Sequence, residues 1–169
     1  MNEMSAVANR TSPALRAGEP GAAIRRRRGE IELVDLQWGL RPKEEGDRPF
    51  TVVRAEGRAF ASHRCLLPAS EFHVRHDREL WRFTLADRGH FYFAGIWRPA
   101  TRDWPESYAV LTTAANADVA PYRDRQMAVI LRRDRMAWLD RSVPEDALLQ
   151  PLPQGSFRGE ADGVPAKLL

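Results

Sequence analysis

The sequence has 169 residues, 43% hydrophobic and 29% charged, with 26 basic and 23 acidic side chains and a formal net charge of +3. That composition suits one soluble domain with one substantial core. It leaves no run near the ~20 apolar residues of a membrane span, and so small a net charge does not by itself argue nucleic-acid binding. The N-terminal stretch lacks the basic-then-apolar order of a signal peptide, which points to the cytoplasm. Cys65 is the only cysteine, so an internal disulfide and a CxxC-type zinc site are both excluded. Lysine occurs only at Lys43 and Lys167. The remaining base is arginine, which suits bidentate contact with phosphate or carboxylate and is also what a GC-rich genome yields.

In chain order, residues 1–22 are rich in Ala, Gly, Ser, Thr and Pro without periodicity and read as a loose arm. The run RRRRGE (25–30) reads as a turn feeding a strand, IELVDLQWGL. A polar loop with Pro42, Gly46 and Pro49 follows, then the β-branched segment FTVVRAEG. RCLLPA (64–69) reads as a buried strand ending at Pro68. LWRFTLA (80–86) and HFYFAGIW (90–97) are strands whose Asp87-Arg88-Gly89 link predicts a hairpin. SYAVLTTAA (107–115) and QMAVILRR (126–133) are strands, with a short helix expected in NADVAPYRDR between them.

Met136, Trp138 and Leu139 mark one helix, and Pro144 sits at the start of a second. The polar, Gly-rich tail from Gly155 reads as frayed. The fold class is therefore α+β, mainly β: a curved antiparallel sheet or barrel with short peripheral helices. The expected organisation is an arm over 1–22, one domain over 23–155 and a tail over 156–169.

Few residues offer chemistry by type and spacing alone. His73 and His76 form HxxH beside Asp77, but on a strand a spacing of three puts them on opposite faces, so no metal site is expected. Cys65, in an apolar strand, reads as a small core residue rather than a reactive thiol. Nothing resembles a P-loop, a GxSxG elbow or a GxGxxG fingerprint, and no cofactor is expected.

Five phrases in order resemble the SOS response-associated peptidase (SRAP) family, whose members shield abasic sites in single-stranded DNA. They are Trp38-Gly39-Leu40-Arg41-Pro42, RAEG (54–57) followed by RAF, RCLLPASEF (64–72), FAGIW (93–97) and LTTAANADVAPYRDRQMAVIL (111–131); Trp138-Leu139-Asp140 follows. The resemblance spans about residues 31–153. It implies a cysteine directly after the initiator Met that captures an abasic-site aldehyde as a thiazolidine. It also implies an asparagine, a glutamate and a histidine that position the sugar and move protons.

At those positions this sequence has Asn2, Val52, Val74 and Arg123. Valine carries no polar atom and arginine stays protonated, so neither shuttles protons near neutral pH. The resemblance also implies a DNA-binding surface: a wedge kept as Trp38 and Leu40, and phosphate contacts at Arg54 and Arg125, with Arg123 as an added cation. For Trp38 a core position is an equal alternative; Arg54 has Glu56 or Asp124 as alternative partners. The expectation is a monomer that binds single-stranded DNA without covalent capture. Two alternatives stand beside it: an active crosslinking enzyme with a substituted nucleophile or a different true N-terminus, and a pseudoenzyme whose groove takes a protein or small ligand.

Overall fold

The computed structural model describes residues 5–7 and 16–165. Twelve strands occur among them: β1 Ser5–Val7, β2 Pro20–Arg27, β3 Glu30–Trp38, β4 Val52–Arg54, β5 Arg64–Ala69, β6 Glu71–His76, β7 Glu79–Leu85, β8 Phe91–Arg98, β9 Ser107–Ala114, β10 Arg125–Met127, β11 Val129–Ile130 and β12 Phe157–Pro165. Two short helices, α1 Arg135–Asp140 and α2 Glu145–Leu148, follow β11. No helix among the described residues is long and apolar enough to cross a membrane.

The strands form two sheets. In the larger, β9, β3, β2, β5 and β8 pair in that order, and β8 pairs back onto β9, so this sheet closes on itself. Closure removes the exposed edges that an open sheet would leave. β10 and β11 are one run broken at Ala128, whose N–H reaches Leu111 O at 2.8 Å while its carbonyl accepts from Ala94 N at 2.9 Å. That run wedges between β8 and β9 where they diverge. β4 extends the other side of β9 in parallel, Val52 opposite Val110 and Arg54 opposite Thr112. The smaller sheet runs β1-β6-β7-β12, all antiparallel.

Alternation along each strand sorts the apolar side chains into two clusters. The inner one holds Trp38, Cys65, Phe72, Val74, Phe83, Phe91, Phe93 and Phe157, among others. Phe72 is its hub, stacked on Phe83 at 5.3 Å and edge-on to Phe157 at 5.3 Å. The outer cluster packs α1 and α2 on the barrel through Trp138, Leu139 and Leu149. Buried Arg64 fixes these helices: it donates to Phe60 O at 2.7 Å, Trp138 O at 3.1 Å and Glu145 at 2.9 Å, and its guanidinium lies 4.5 Å from the Trp138 ring.

The mainly-β class and the peripheral helices match the reading of the sequence; several local expectations do not. Arg25, Arg26 and Arg27 belong to β2, and only Arg28 and Gly29 turn, both with positive φ (53° and 82°). Arg25 is 2% exposed because Glu32 and Glu106 bind it and the Trp97 ring lies 4.2 Å away. β2 begins at Pro20, inside the stretch expected to be a loose arm, and Ser5–Val7 pairs with β6; the other residues of 1–15 lie outside the described residues.

Pro68 does not end its strand. It pairs with Tyr92 on the β8 side, while β2 contacts β5 only at Cys65 and Leu66, so its missing N–H leaves no ladder bond unmade. β7 and β8 do not form a hairpin: Asp87-Arg88-Gly89 carries the chain from one sheet to the other. The hairpin lies instead at Asp77-Arg78, joining β6 to β7, with Asp77 at φ 55°. Residues 116–124 make successive turns rather than a helix, since Pro121 supplies no N–H and Asn116 Oδ1 takes the Val119 N–H at 3.1 Å. Met136 is 38% exposed, so only Trp138 and Leu139 form the buried face of α1.

The tail is not frayed at its start. β12 pairs with β7 from Phe157↔Leu85 to Ala161↔Trp81, then across a register shift at Pro165↔Glu79. Asp118 sets its entry, accepting from the backbone N–H of Gly155 at 2.9 Å and of Phe157 at 3.0 Å.

Candidate nucleic-acid interface

β9 organises the candidate surface. Tyr108, Val110, Thr112 and Ala114 point to one side of it, because a strand repeats every two residues. The parallel partner β4 puts Val52 beside Val110 and Arg54 beside Thr112. On the other edge of β9, antiparallel β10 puts Arg125 beside Ala114. Arg54 and Arg125 therefore stand on the same side of the sheet, on strands flanking Thr112.

Their partners differ. Arg125 donates to both carboxylate oxygens of Glu56, at 2.9 and 2.8 Å, and to Thr112 O and Oγ1 at 2.8 and 3.1 Å. The hydrogen bonds from Arg125, against a burial effect that opposes them, hold the Glu56 carboxyl down at about 2. Arg54 is exposed and forms no ion pair among the described residues; Glu56 takes Arg125 and not Arg54. Arg123 stands two residues before Arg125 and is half-buried, and that burial lowers its pKa against the opposing charge of Asp124.

Trp38 occupies the core, one of its two expected placements. It is 6% exposed and its indole N–H donates to Thr51 O at 2.9 Å. Leu40 is 9% exposed and belongs to the outer cluster. Neither side chain projects from the surface as a wedge would. Val74 is fully buried against the aromatic core, and Val52 is 40% exposed.

Trp38, Val74 and Val110, the register partner of Val52, belong to one apolar cluster, and Tyr122, next to Arg123, packs on it. Trp38 and Val74 thus meet in the inner core, while Val52 and Arg123 adjoin it only through Val110 and Tyr122. Two surface cavities, one beside Glu56 and α2 and one beside Leu40 and Trp104, are lined by other residues than Trp38, Val52, Arg54, Val74 and Arg123.

The other chemistry-bearing residues lie elsewhere. Cys65 is fully buried, and desolvation pushes its thiol far up, so it stays protonated. His73 faces Glu71 and Asp162, at 3.8 and 3.5 Å, on one side of the smaller sheet. His76 lies on the other side against Tyr122, whose carbonyl is 3.2 Å from Nδ1. Burial lowers the His73 pKa while Glu71 and Asp162 oppose it. Sequence reasoning missed the Glu56–Arg125 pair, because the two residues are 69 positions apart and meet only through β9.

Several solved structures are similar to this one. A Bordetella bronchiseptica protein matches with a TM-score of 0.69 and 23% identity over 89% of this chain and 87% of that one. A Bacteroides thetaiotaomicron protein matches at 0.71 and 19% identity over 88% and 76%. A phage-related Bordetella bronchiseptica protein matches at 0.67 and 16% identity over 89% and 81%. At these identities the likeness establishes the fold. No curated protein matches the sequence. The family model for SOS response associated peptidase (SRAP) matches residues 5–161. With that model covering nearly the whole described chain and the motif phrases falling on the strands that build the barrel, the protein belongs to the SRAP family.

Proposed function

We propose that this protein binds single-stranded DNA reversibly on the β4–β9–β10 face, without the covalent abasic-site capture that the family resemblance implies. The observation that carries the reading is the pair Arg54 and Arg125 flanking Thr112 on one side of the sheet. Phosphate neutralisation supplies most of the affinity for single strands, and two arginines on the strands either side of β9, with Arg123 close in sequence, form the start of such a track.

The chemistry of the neighbouring positions supports the second half of the reading. Val52 and Val74 stand where the resemblance places an asparagine and a glutamate, and neither donates or accepts a proton. Val74 has no solvent access, so water cannot stand in for the missing carboxylate there. Cys65, the sequence's one thiol, is enclosed and protonated.

The test uses labelled single-stranded DNA, with and without an abasic site, across a salt series, followed by intact-mass analysis. The expected result is reversible binding that weakens with salt and leaves the protein mass unchanged. A heat-stable adduct on abasic DNA sinks the non-covalent reading. Absence of salt-sensitive binding to either strand sinks DNA binding itself.

A further inference from the structure

The cavity beside Leu40 lies outside the Arg54–Arg125 face and has its own chemistry. It has a volume of about 480 Å³, within the roughly 300–1,000 Å³ of small-molecule sites. Leu40, Arg41 and Phe50 come from the β3–β4 connection, Arg98 and Trp104 from the end of β8 and the β8–β9 connection, and Ser107 from the first position of β9.

Ser107 is 1% exposed, and its Oγ, which has no surface open to solvent, has no hydrogen-bond partner among the described residues. A buried hydroxyl without a partner is rare in folded proteins and calls for an explanation. A turn about the Ser107 Cα–Cβ bond would bring that hydroxyl to a polar atom of a ligand in the cavity this residue lines.

The walls narrow the ligand class. Phe50 is 43% exposed, unusual for so large an apolar ring, while its backbone is pinned to Leu40 by hydrogen bonds of 2.9 and 3.1 Å. Trp104 is held by its indole N–H, which donates to Gly39 O at 3.1 Å. Two positioned aromatic rings offer faces to a planar group.

Arg98 is exposed, and one of its guanidinium nitrogens donates to Trp97 O at 3.0 Å. Arg41 has a loose, exposed contact with Asp103 at 3.7 Å. Arginines at the mouth of an aromatic cavity suit a phosphate.

We infer that this cavity is a nucleotide subsite: the base enters between Phe50 and Trp104, its polar edge draws the Ser107 hydroxyl round toward the cavity, and its phosphate meets Arg98 and Arg41. The ligand is either a free nucleotide or one residue of a DNA strand. Ser107 and Thr112 lie five residues apart on β9, roughly 16 Å along the strand, so the subsite does not depend on Arg54 or Arg125.

The experiment titrates the full chain with dAMP, adenosine, inorganic phosphate and a short oligodeoxyadenylate. Saturable binding of dAMP or of the oligodeoxyadenylate is expected, weakened about fivefold by Ser107→Ala and about tenfold by Arg98→Glu. Circular dichroism confirms that both variants fold. Comparable affinities for dAMP and oligonucleotide assign the site to free nucleotide; much tighter oligonucleotide binding assigns it to a strand.

The inference is overturned if neither probe binds, if neither variant weakens binding, or if phosphate alone binds as tightly as dAMP. Oligonucleotide binding that falls with Arg54→Glu and not with Arg98→Glu removes the subsite and leaves the DNA-binding reading intact. The reverse pattern, with dAMP bound and weakened by Arg98→Glu but no strand bound, removes DNA binding and keeps the subsite.

Discussion

The Arg125 guanidinium grips both carboxylate oxygens of Glu56, at 2.9 and 2.8 Å, from the opposite edge of β9. Glu56 thereby occupies the donors that a phosphate would use. Glu56→Gln is expected to strengthen binding to single-stranded DNA about threefold and to add about 0.7 to the slope of log affinity against log salt. Fluorescence anisotropy over a salt series measures both; an unchanged slope would show that Arg125 does not meet phosphate.

The same pair gives a pH dependence. The Glu56 pKa is lowered from 4.5 to about 2 in the folded protein. Its contribution to stability is therefore fully present above about pH 4.5 and disappears as pH falls toward 2. Glu56 is 48% exposed, so solvent screening keeps that contribution small. Acid titration of the thermal midpoint is expected to fall less steeply in Glu56→Gln than in the parent between those pH values.

Asp118 ties the turn region 116–124 to the start of β12. Its carboxylate accepts from Gly155 N, Phe157 N and Asn116 Nδ2. Burial pushes its pKa up, but those hydrogen bonds prevail and the pKa is lowered overall. Asp118→Ala is expected to cost about 1–3 kcal/mol, with hydrogen exchange accelerating first over 157–161. Equal acceleration across all strands would show that the contact acts globally instead. For the parent, this contribution is lost as pH falls below the ordinary aspartate range.

Val74→Glu restores a carboxyl where the family resemblance places one, at a position with 0% exposure. Burial favours the neutral acid, so the folded-state pKa rises, and destabilisation grows as pH rises above about 4.3. A loss of about 3 kcal/mol or more at neutral pH is expected by urea unfolding. A variant as stable as the parent at neutral pH would mean that the pocket around Val74 opens to water.

Gly39 has φ +123°, and a Cβ there would lie 2.7 Å from Pro49 Cβ. Both the backbone conformation and the contact exclude a side chain. Gly39→Ala is expected to cost about 2 kcal/mol and to disturb the Trp104 indole bond to Gly39 O. A shift in tryptophan emission alongside the lower thermal midpoint reports both effects; a change in neither would contradict the close packing of the Trp-Gly-Leu segment.

Much of the fold is legible in the sequence because the signals are local. Period-two alternation, imperfect in ELVDLQW and clear in LWRFTL, marks strands with one buried face, and the continuous aromatic and apolar run FYFAGIW marks one buried on both. Trp138 and Leu139 before Pro144 mark α1 and the start of α2. Asp87-Arg88-Gly89 misleads as a hairpin because its turn chemistry is real: Asp87 Oδ1 accepts from Gly89 N at 2.7 Å. Turn residues specify a change of direction, not which sheet receives the next strand. Likewise Gly-rich 155–163 has little apolar periodicity, and its strand forms because β7 presents an open edge and Phe157 reaches the phenylalanine core.

The sequence by itself determined the strand-rich class, the two short helices, the buried character of Cys65 and, through its motif phrases, the family. Each of these rests on residue type and near-neighbour spacing. Tertiary structure alone decided that β8 closes onto β9, that Trp38 is a core residue, and that Arg54 and Arg125 flank Thr112. It alone brought Glu56 to Arg125 and left Ser107 Oγ, beside an aromatic cavity, without a partner among the described residues. The physical reason is that these relationships follow from strand register and pleat across long sequence separations, which no local pattern encodes.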